Sequence, residues 1–254
     1  VAVTNFDSCE QDCSGCNMII TGGMGGLGLL TARVLVQLGA KNIFLVSRSG
    51  KVSYPDQGLE DDLAWLDKQD GVDIHIVKCD VSKEESVVEM LEEVRRRVGR
   101  IDGIIHGAGV LRDALIRGGG AAAGCEEVWN AKALSAWWLH KHTLQDDLKY
   151  FITFSSLVSV FPVFGQSSYA IANRFLDDLV QFRSTHGLRS LSIQLPAITS
   201  VGMFAATSVK LDRLSSSFSA ASTTFEKLIR SLLLSYSYLS ANVLALLPKS
   251  SVEA

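Results

Sequence analysis

The stretch NMIITGGMGGLG, Asn17 to Gly28, decides how this chain folds. A short apolar run ends at Thr21, glycine fills five of the next seven positions (Gly22, Gly23, Gly25, Gly26 and Gly28), and an amphipathic segment follows at once. Leu27, Leu30, Val34 and Leu38 recur at steps of three and four, which puts them on one face of a helix. A glycine-rich turn between a strand and a helix lets a pyrophosphate approach the backbone and meet the free N–H groups of the helix start. Thr21, the five glycines and Leu27 are therefore the candidate phosphate-binding loop of a dinucleotide site.

Outward from that loop, short apolar runs alternate with helix-period segments. NIFLV (42–46), VDIHIV (72–77), IDGIIH (101–106), KYFITF (149–154) and SLSIQL (190–195) read as strands after NMIIT (17–21), with ANVLALL (241–247) as a seventh. This alternation predicts an α/β fold: a Rossmann-type doubly wound parallel sheet of about seven strands with helices on both faces. Residues 1–16 read as an N-terminal linker and 17–254 as a single domain. GGGAAAG (118–124) is too glycine-rich for a firm helix start, and the Ser/Ala/Thr-rich stretch from Ala205 to Thr224 falls where a lid, at about 203–225, would cover a cleft.

The remaining cofactor contacts are expected at strand ends. Where an acidic residue would hold the ribose of NAD, the second strand closes on Ser47-Arg48-Ser49. Arg48 can pair with a 2′-phosphate, which favours NADPH over NADH. Asp80 and Val81 follow the third strand, and Gly107, Ala108 and Gly109 follow His106 at the end of the fourth. Asp80 suits the adenine amino group, and the small residues let the backbone pass close to the cofactor.

Composition narrows the remaining classes. The chain has 254 residues, 47% of them hydrophobic, and a formal net charge of -3, so it can bury one core and offers no basic surface for nucleic acid. Arg95 to Arg97 form the one basic run, on an expected helix. No apolar run is long enough to span a bilayer and the first residues lack signal-peptide character, so the chain reads as intracellular and cytoplasmic. Its first residue, Val1, suggests processing or a piece of a longer polypeptide. Cys9, Cys13 and Cys16 have a spacing usable by an iron–sulfur cluster, but they precede the first strand, and the reading adopted is a linker with incidental thiols and no metal.

Ketone reduction by a nicotinamide needs an acid beside the developing alkoxide, and a tyrosine serves if a nearby cation brings its pKa down. Tyr169 opens an expected helix with Asn173 four residues on, Ser156 precedes it by 13 residues at the end of the fifth strand, and Lys132 lies 24 residues before Ser156. TGGMGGLG, LVSRSG, CDVS, HGAGVLRD, WNAKALSAWWLH, FITFSSLVSVFPVFGQSSYAIANRFLDDL and SVGM resemble, in order, the motifs of polyketide synthase ketoreductases of the short-chain dehydrogenase/reductase superfamily. Asn173 stands where most short-chain dehydrogenases have lysine, and the lysine comes earlier, an interchange that marks polyketide and animal-type fatty acid synthases.

The resemblance implies that Tyr169 protonates the ketone oxygen, Ser156 orients it, Lys132 lowers the tyrosine pKa and holds the nicotinamide ribose, and Asn173 anchors a proton relay. Ser155 neighbours Ser156, and only the spacing selects between them. The implied substrate is a β-ketoacyl chain on the phosphopantetheine of an acyl carrier protein, with the other domains of a multidomain synthase as neighbours in polyketide or fatty acid biosynthesis. A free-standing reductase of small ketones and a non-catalytic scaffold domain are the alternatives. The structural half-domain that precedes the catalytic half in such ketoreductases is missing here, so the chain reads as the catalytic half. Asp113 in Leu111-Arg112-Asp113 is the implied substrate-orienting residue, and no tryptophan stands between Phe161 and Ser168, which together imply a 3R alcohol. Three departures stand out: GGGAAAGC before Lys132, QLPAIT without a tryptophan, and the serine-rich lid. Trp129, Trp137 and Trp138 read as packing, and Asp177 and Asp178 as a solvated helix face.

Overall fold

A computed structural model of the chain describes residues 13–53, 57–115, 120–198, 201–203, 219–220, 222–236 and 243–245. Seven parallel strands, β1 (Asn17–Thr21), β2 (Asn42–Ser47), β3 (Asp73–Lys78), β4 (Gly103–His106), β5 (Tyr150–Ser156), β6 (Leu191–Leu195) and β9 (Val243–Ala245), form one sheet in the order β3-β2-β1-β4-β5-β6-β9. A two-residue parallel pair, β7 (Ala197–Ile198) with β8 (Ser219–Ala220), lies outside it. All seven expected strands are present. Of ANVLALL, Val243–Ala245 are among the described residues and form β9, and β5 runs on to Ser156 because Ser155 and Ser156 still pair with Gln194 and Leu195 of β6.

Strand residues alternate between two cores, which is why these runs are almost continuously apolar. Ile20, Ile43, Leu45, Ile105, Ile152, Phe154 and Ile193 point to one face. There they meet α1 (Gly26–Gln37), α2 (Leu59–Leu66) and α7 (Ser222–Ser235) through Leu30, Val34, Leu59, Phe225 and Leu232. Ile19, Phe44, Val46, Ile104 and Phe151 point to the other face, against Val87, Leu91 and Val94 of α3 (Glu84–Val98) and Leu139 of α5 (Ser135–His142). The basic run belongs to α3: Glu84 and Glu85 sit in its first turn and Arg95, Arg96 and Arg97 in its last, each sign favoured by the helix dipole there. Cys13 and Cys16 are buried in the first of these cores, ahead of β1, and Cys9 lies outside the described residues.

One local feature departs from expectation. α4 (Gly120–Trp129) does form, starting inside the glycine-rich stretch, and residues 116–119 before it lie outside the described residues. Most of the expected lid also lies outside them, while its end is the start of α7. The strand order reverses between β2-β1 and β4-β5, so the C-terminal ends of β1 and β4 flank the crevice where open α/β sheets bind ligands. Among the described residues no helix is long and apolar enough to cross a membrane, and no cluster of three His, Cys, Asp or Glu could hold a metal ion.

Candidate active site

The loop after β1 is shaped to admit backbone only. Gly22 has a φ of +69°, and a Cβ there would stand 2.7 Å from the Gly107 carbonyl oxygen on the loop after β4. A Cβ on Gly28 would collide with the Gly22 carbonyl oxygen. Any side chain at either position would wedge the two loops or the helix apart. Gly25 caps α1 without a side-chain hydrogen bond, so the first-turn N–H groups stay open to an anion. This cradle fits the pyrophosphate of a dinucleotide.

At the ends of β2 and β3, Arg48, Lys78, Cys79, Asp80 and Met90 line a cavity of about 220 Å³. Asp80 accepts from the Ser82 hydroxyl at 2.7 Å and the Ser82 N–H at 3.2 Å, which fixes its carboxylate at the cavity edge. Val81, next to it, is buried. Lys78 is a second cation that the sequence reading passed over. The signal was the parallel register, which pairs Lys78 with Ser47 beside Arg48.

Lys132 sits on a π-helical turn, Asn130–Leu134, between α4 and α5 rather than on a regular helix. Its side chain is buried, its Nζ donates to the Phe154 carbonyl oxygen at 2.9 Å, and the same Nζ lies 5.5 Å from the centre of the Tyr169 ring. A Cβ on Gly109 would come within 3.5 Å of it, so the ammonium also faces the loop after β4. Burial pulls Lys132 down to about 8, and the charge of Asp177 acts in the opposite direction.

Tyr169 and Asn173 share one face of α6 (Ser167–Thr185), which packs on β5 and the π-turn. Half-buried Tyr169 rests against Val128, Ala133 and Ala172. Its phenol is pushed up from the ordinary tyrosine value, first by burial and further by Asp113, with Asn173 opposing. Asn173 is fully buried, and its Nδ2 donates to the Tyr169 backbone carbonyl at 2.8 Å. That bond sets the amide orientation, since a reversed amide would face oxygen to oxygen. Asn173 Oδ1 is buried with no hydrogen-bond partner among the described residues. Such an acceptor fits a donor within the site.

The two serines separate by burial. Ser155 is buried and its hydroxyl donates to the backbone carbonyl of Asn173 at 3.2 Å, a structural bond. Half-exposed Ser156 accepts from Val158 N at 3.3 Å at the head of the 3-10 turn Leu157–Ser159, which leaves its own O–H to donate elsewhere. Asp177 is not on a solvated face. It is 3% exposed and accepts from Ser159 and Ser192 hydroxyls at 2.9 and 2.6 Å and from Gln194 Nε2 at 2.8 Å, tying the turn after Ser156 to β6. Asp178 is exposed and pairs with Arg174. Asp113 is exposed and accepts from Gln166 Nε2 at 2.9 Å, which brings the loop after β4 beside the start of α6. Trp129 stacks edge-on against Phe175, as packing requires.

A seven-stranded parallel sheet with a glycine cradle at β1 and a tyrosine, lysine, serine and asparagine gathered at the ends of β4 and β5 defines the short-chain dehydrogenase/reductase class, whose fold implies a nicotinamide cofactor. Within that class, the KR domain family model matches residues 16–200. The chain is 36% identical over 193 residues to the highly reducing polyketide synthase dmxL2 of Cryptosporiopsis sp. (strain 8999), covering 74% of this chain and 8% of that protein. It is 36% identical over 178 residues to polyketide synthase GfsE of Streptomyces halstedii, covering 70% and 4%. A solved structure of A-type ketoreductases from a modular polyketide synthase superposes with a TM-score of 0.79 at 28% identity, covering 94% of this chain and 48% of that one. The chain belongs to the KR family, the ketoreductase domains of polyketide synthases, and spans a small part of the length of the curated relatives it matches.

Proposed function

We propose that this chain reduces a β-ketoacyl thioester, carried on an acyl carrier protein, to the β-hydroxyacyl thioester with NADPH, as the catalytic half of a synthase ketoreductase. The observation that carries the reading is the placement of Lys132: a buried ammonium, brought by a π-turn to 5.5 Å from the centre of the Tyr169 ring, while Asn173 fills the usual YxxxK position. A bound reduced nicotinamide supplies the hydride. The chain's own residues handle the oxygen: Ser156 donates a hydrogen bond to it, Tyr169 gives it a proton, and Lys132 stabilises the phenolate left behind. Asn173 Oδ1 takes a donor in the chain that restores the proton. The domain reading extends over residues 17–254. Turnover of a diketide thioester or of trans-1-decalone, followed as NADPH oxidation, tests the proposal, and an inert chain that binds NADPH would favour the scaffold alternative.

Cofactor choice rests on Arg48. A guanidinium at the lip of the cavity pairs with a 2′-phosphate that NADH lacks, and losing such a charge-assisted bond costs about 1.5–3 kcal/mol. Arg48→Ala is therefore expected to lower the NADPH-to-NADH ratio of kcat/KM by roughly ten- to a hundred-fold. Lys78 at the same cavity keeps part of the preference, and an unchanged ratio would remove Arg48 from the site.

Product configuration rests on Asp113. Its bond to Gln166, three residues before Tyr169, puts a charged group on one side of the approach to the phenol, where it can steer the acyl–pantetheine arm to the other. Reduction of an unbranched β-ketoacyl thioester is expected to give the 3R alcohol on chiral chromatography. A predominantly 3S product would show that Asp113 does not do the steering.

A further inference from the structure

His106, the last residue of β4, has no solvent exposure, and its ring joins two parts of the site that are distant in sequence. Its Nδ1 lies 2.7 Å from the Thr21 hydroxyl at the head of the glycine loop, and its Nε2 lies 2.9 Å from the backbone carbonyl oxygen of Lys132. A carbonyl only accepts, so Nε2 carries the proton and Nδ1 is the acceptor, to which Thr21 donates. The Thr21 oxygen then keeps a lone pair for Ala108 N–H, at 3.4 Å, on the loop after β4. A π-turn is a rare variant of a helix, frequent at functional sites, and here the carbonyl of its central residue accepts from His106 Nε2, while the Ser135 hydroxyl beside it lies 2.9 Å from the Ala131 carbonyl and 3.1 Å from that of Lys132.

We propose that His106 is a positioning residue that couples the dinucleotide loop to the lysine: by gripping the carbonyl of Lys132 and the hydroxyl of Thr21 at once, it sets where the ammonium stands relative to the cofactor. This rests on the reading of Lys132 as the cation of the catalytic group. The lysine is held at both ends, Nζ by the Phe154 carbonyl and the backbone by His106. A displacement of about 1 Å at such a group is enough to lower a rate on the order of a hundred-fold. Burial, with the charge of Lys132, keeps the ring neutral, with its pKa down to about 3, so the device works as a fixed strut and does not switch with pH.

The two arms can be cut separately. Glutamine places an amide N–H near the position of Nε2, and asparagine places an amide oxygen near that of Nδ1. His106→Gln, which keeps the grip on Lys132 and drops the one on Thr21, is expected to raise the Kd for NADPH, read by fluorescence, about threefold or more with kcat for trans-1-decalone within about threefold of wild type, and an unchanged Kd overturns the coupling; His106→Asn is expected to lower kcat about tenfold or more while that Kd moves less than about twofold. Wild-type kcat in His106→Asn, or a loss there confined to NADPH affinity, overturns the coupling. Independently of turnover, the 15N spectrum of the histidines, with the His106 signals identified by their loss in His106→Gln, should show the Nε2–H tautomer and no titration from pH 5 to 8. An Nδ1–H tautomer or a midpoint near the ordinary histidine value overturns it. A wild-type chain that binds NADPH but reduces no ketone overturns the functional reading and the catalytic sense of the coupling with it; an active wild type indifferent to His106→Asn overturns the coupling alone.

Discussion

Tyr169→Phe is expected to lower kcat for ketone reduction by about 10²–10⁴-fold, the usual worth of a positioned general acid. NADPH affinity should stay within about twofold. The ring stays in its packing against Val128, Ala133 and Ala172, so the substitution removes a hydroxyl and little else. Because burial holds the phenol above the ordinary tyrosine value, it is fully protonated at neutral pH and so is present as a donor. Ser156→Ala should fall less, since it removes one hydrogen bond to the oxygen and leaves the acid in place. Single-turnover kinetics with pre-bound NADPH separate the chemical step from binding, and near-wild-type turnover by the phenylalanine variant would refute the assignment.

The sheet and the cofactor loop could be read from the sequence because both depend on local patterns. Apolar runs set the strands, and a glycine string between a strand and a helix leaves few other folds, so the paired loops after β1 and β4 fall where the reading placed them. What escaped depends on partners remote in the chain. Asp177 looked like part of a solvated pair with Asp178, although the helical repeat that put Asn173 on the face of Tyr169 places Asp177 on that face one turn later. Its donors, Ser159, Ser192 and Gln194, come from a turn and a strand that only the tertiary fold delivers. The burial of Tyr169, which raises its phenol, likewise depends on partners that the tertiary fold delivers. The π-turn under Lys132 left no trace in NAKAL, because it is held by a histidine 26 residues away. Lys78 could have been found by pairing strand ends.

Lys132→Met is expected to separate activity from stability in opposite directions. Methionine fills the same volume and keeps the contact with the Tyr169 ring, but it removes the ammonium, so reduction should fall about 10²-fold or more. With the lysine at about 8, the ammonium is present at neutral pH and lost as pH rises through that value. Wild-type kcat/KM should therefore decline above about pH 8, and the residual activity of the methionine variant should lack that limb. For stability, a lysine whose folded pKa lies below its unfolded value of 10.5 opposes folding most strongly when charged in both states, below about pH 8. The penalty is relieved between about 8 and 10.5, where the unfolded chain binds more protons. At pH 7 the variant should gain up to about 3 kcal/mol in urea unfolding, an upper bound from the difference between the two pKa values. That advantage should shrink as pH approaches 10.5. Asp177 limits the gain, since its charge partly offsets the buried cation, and His106 does not enter, being neutral throughout. A residue that lowers stability where it stands, and whose removal lowers turnover this far, is held there by function rather than by the fold. A variant that kept its activity, or whose stability matched wild type at every pH, would remove Lys132 from that role.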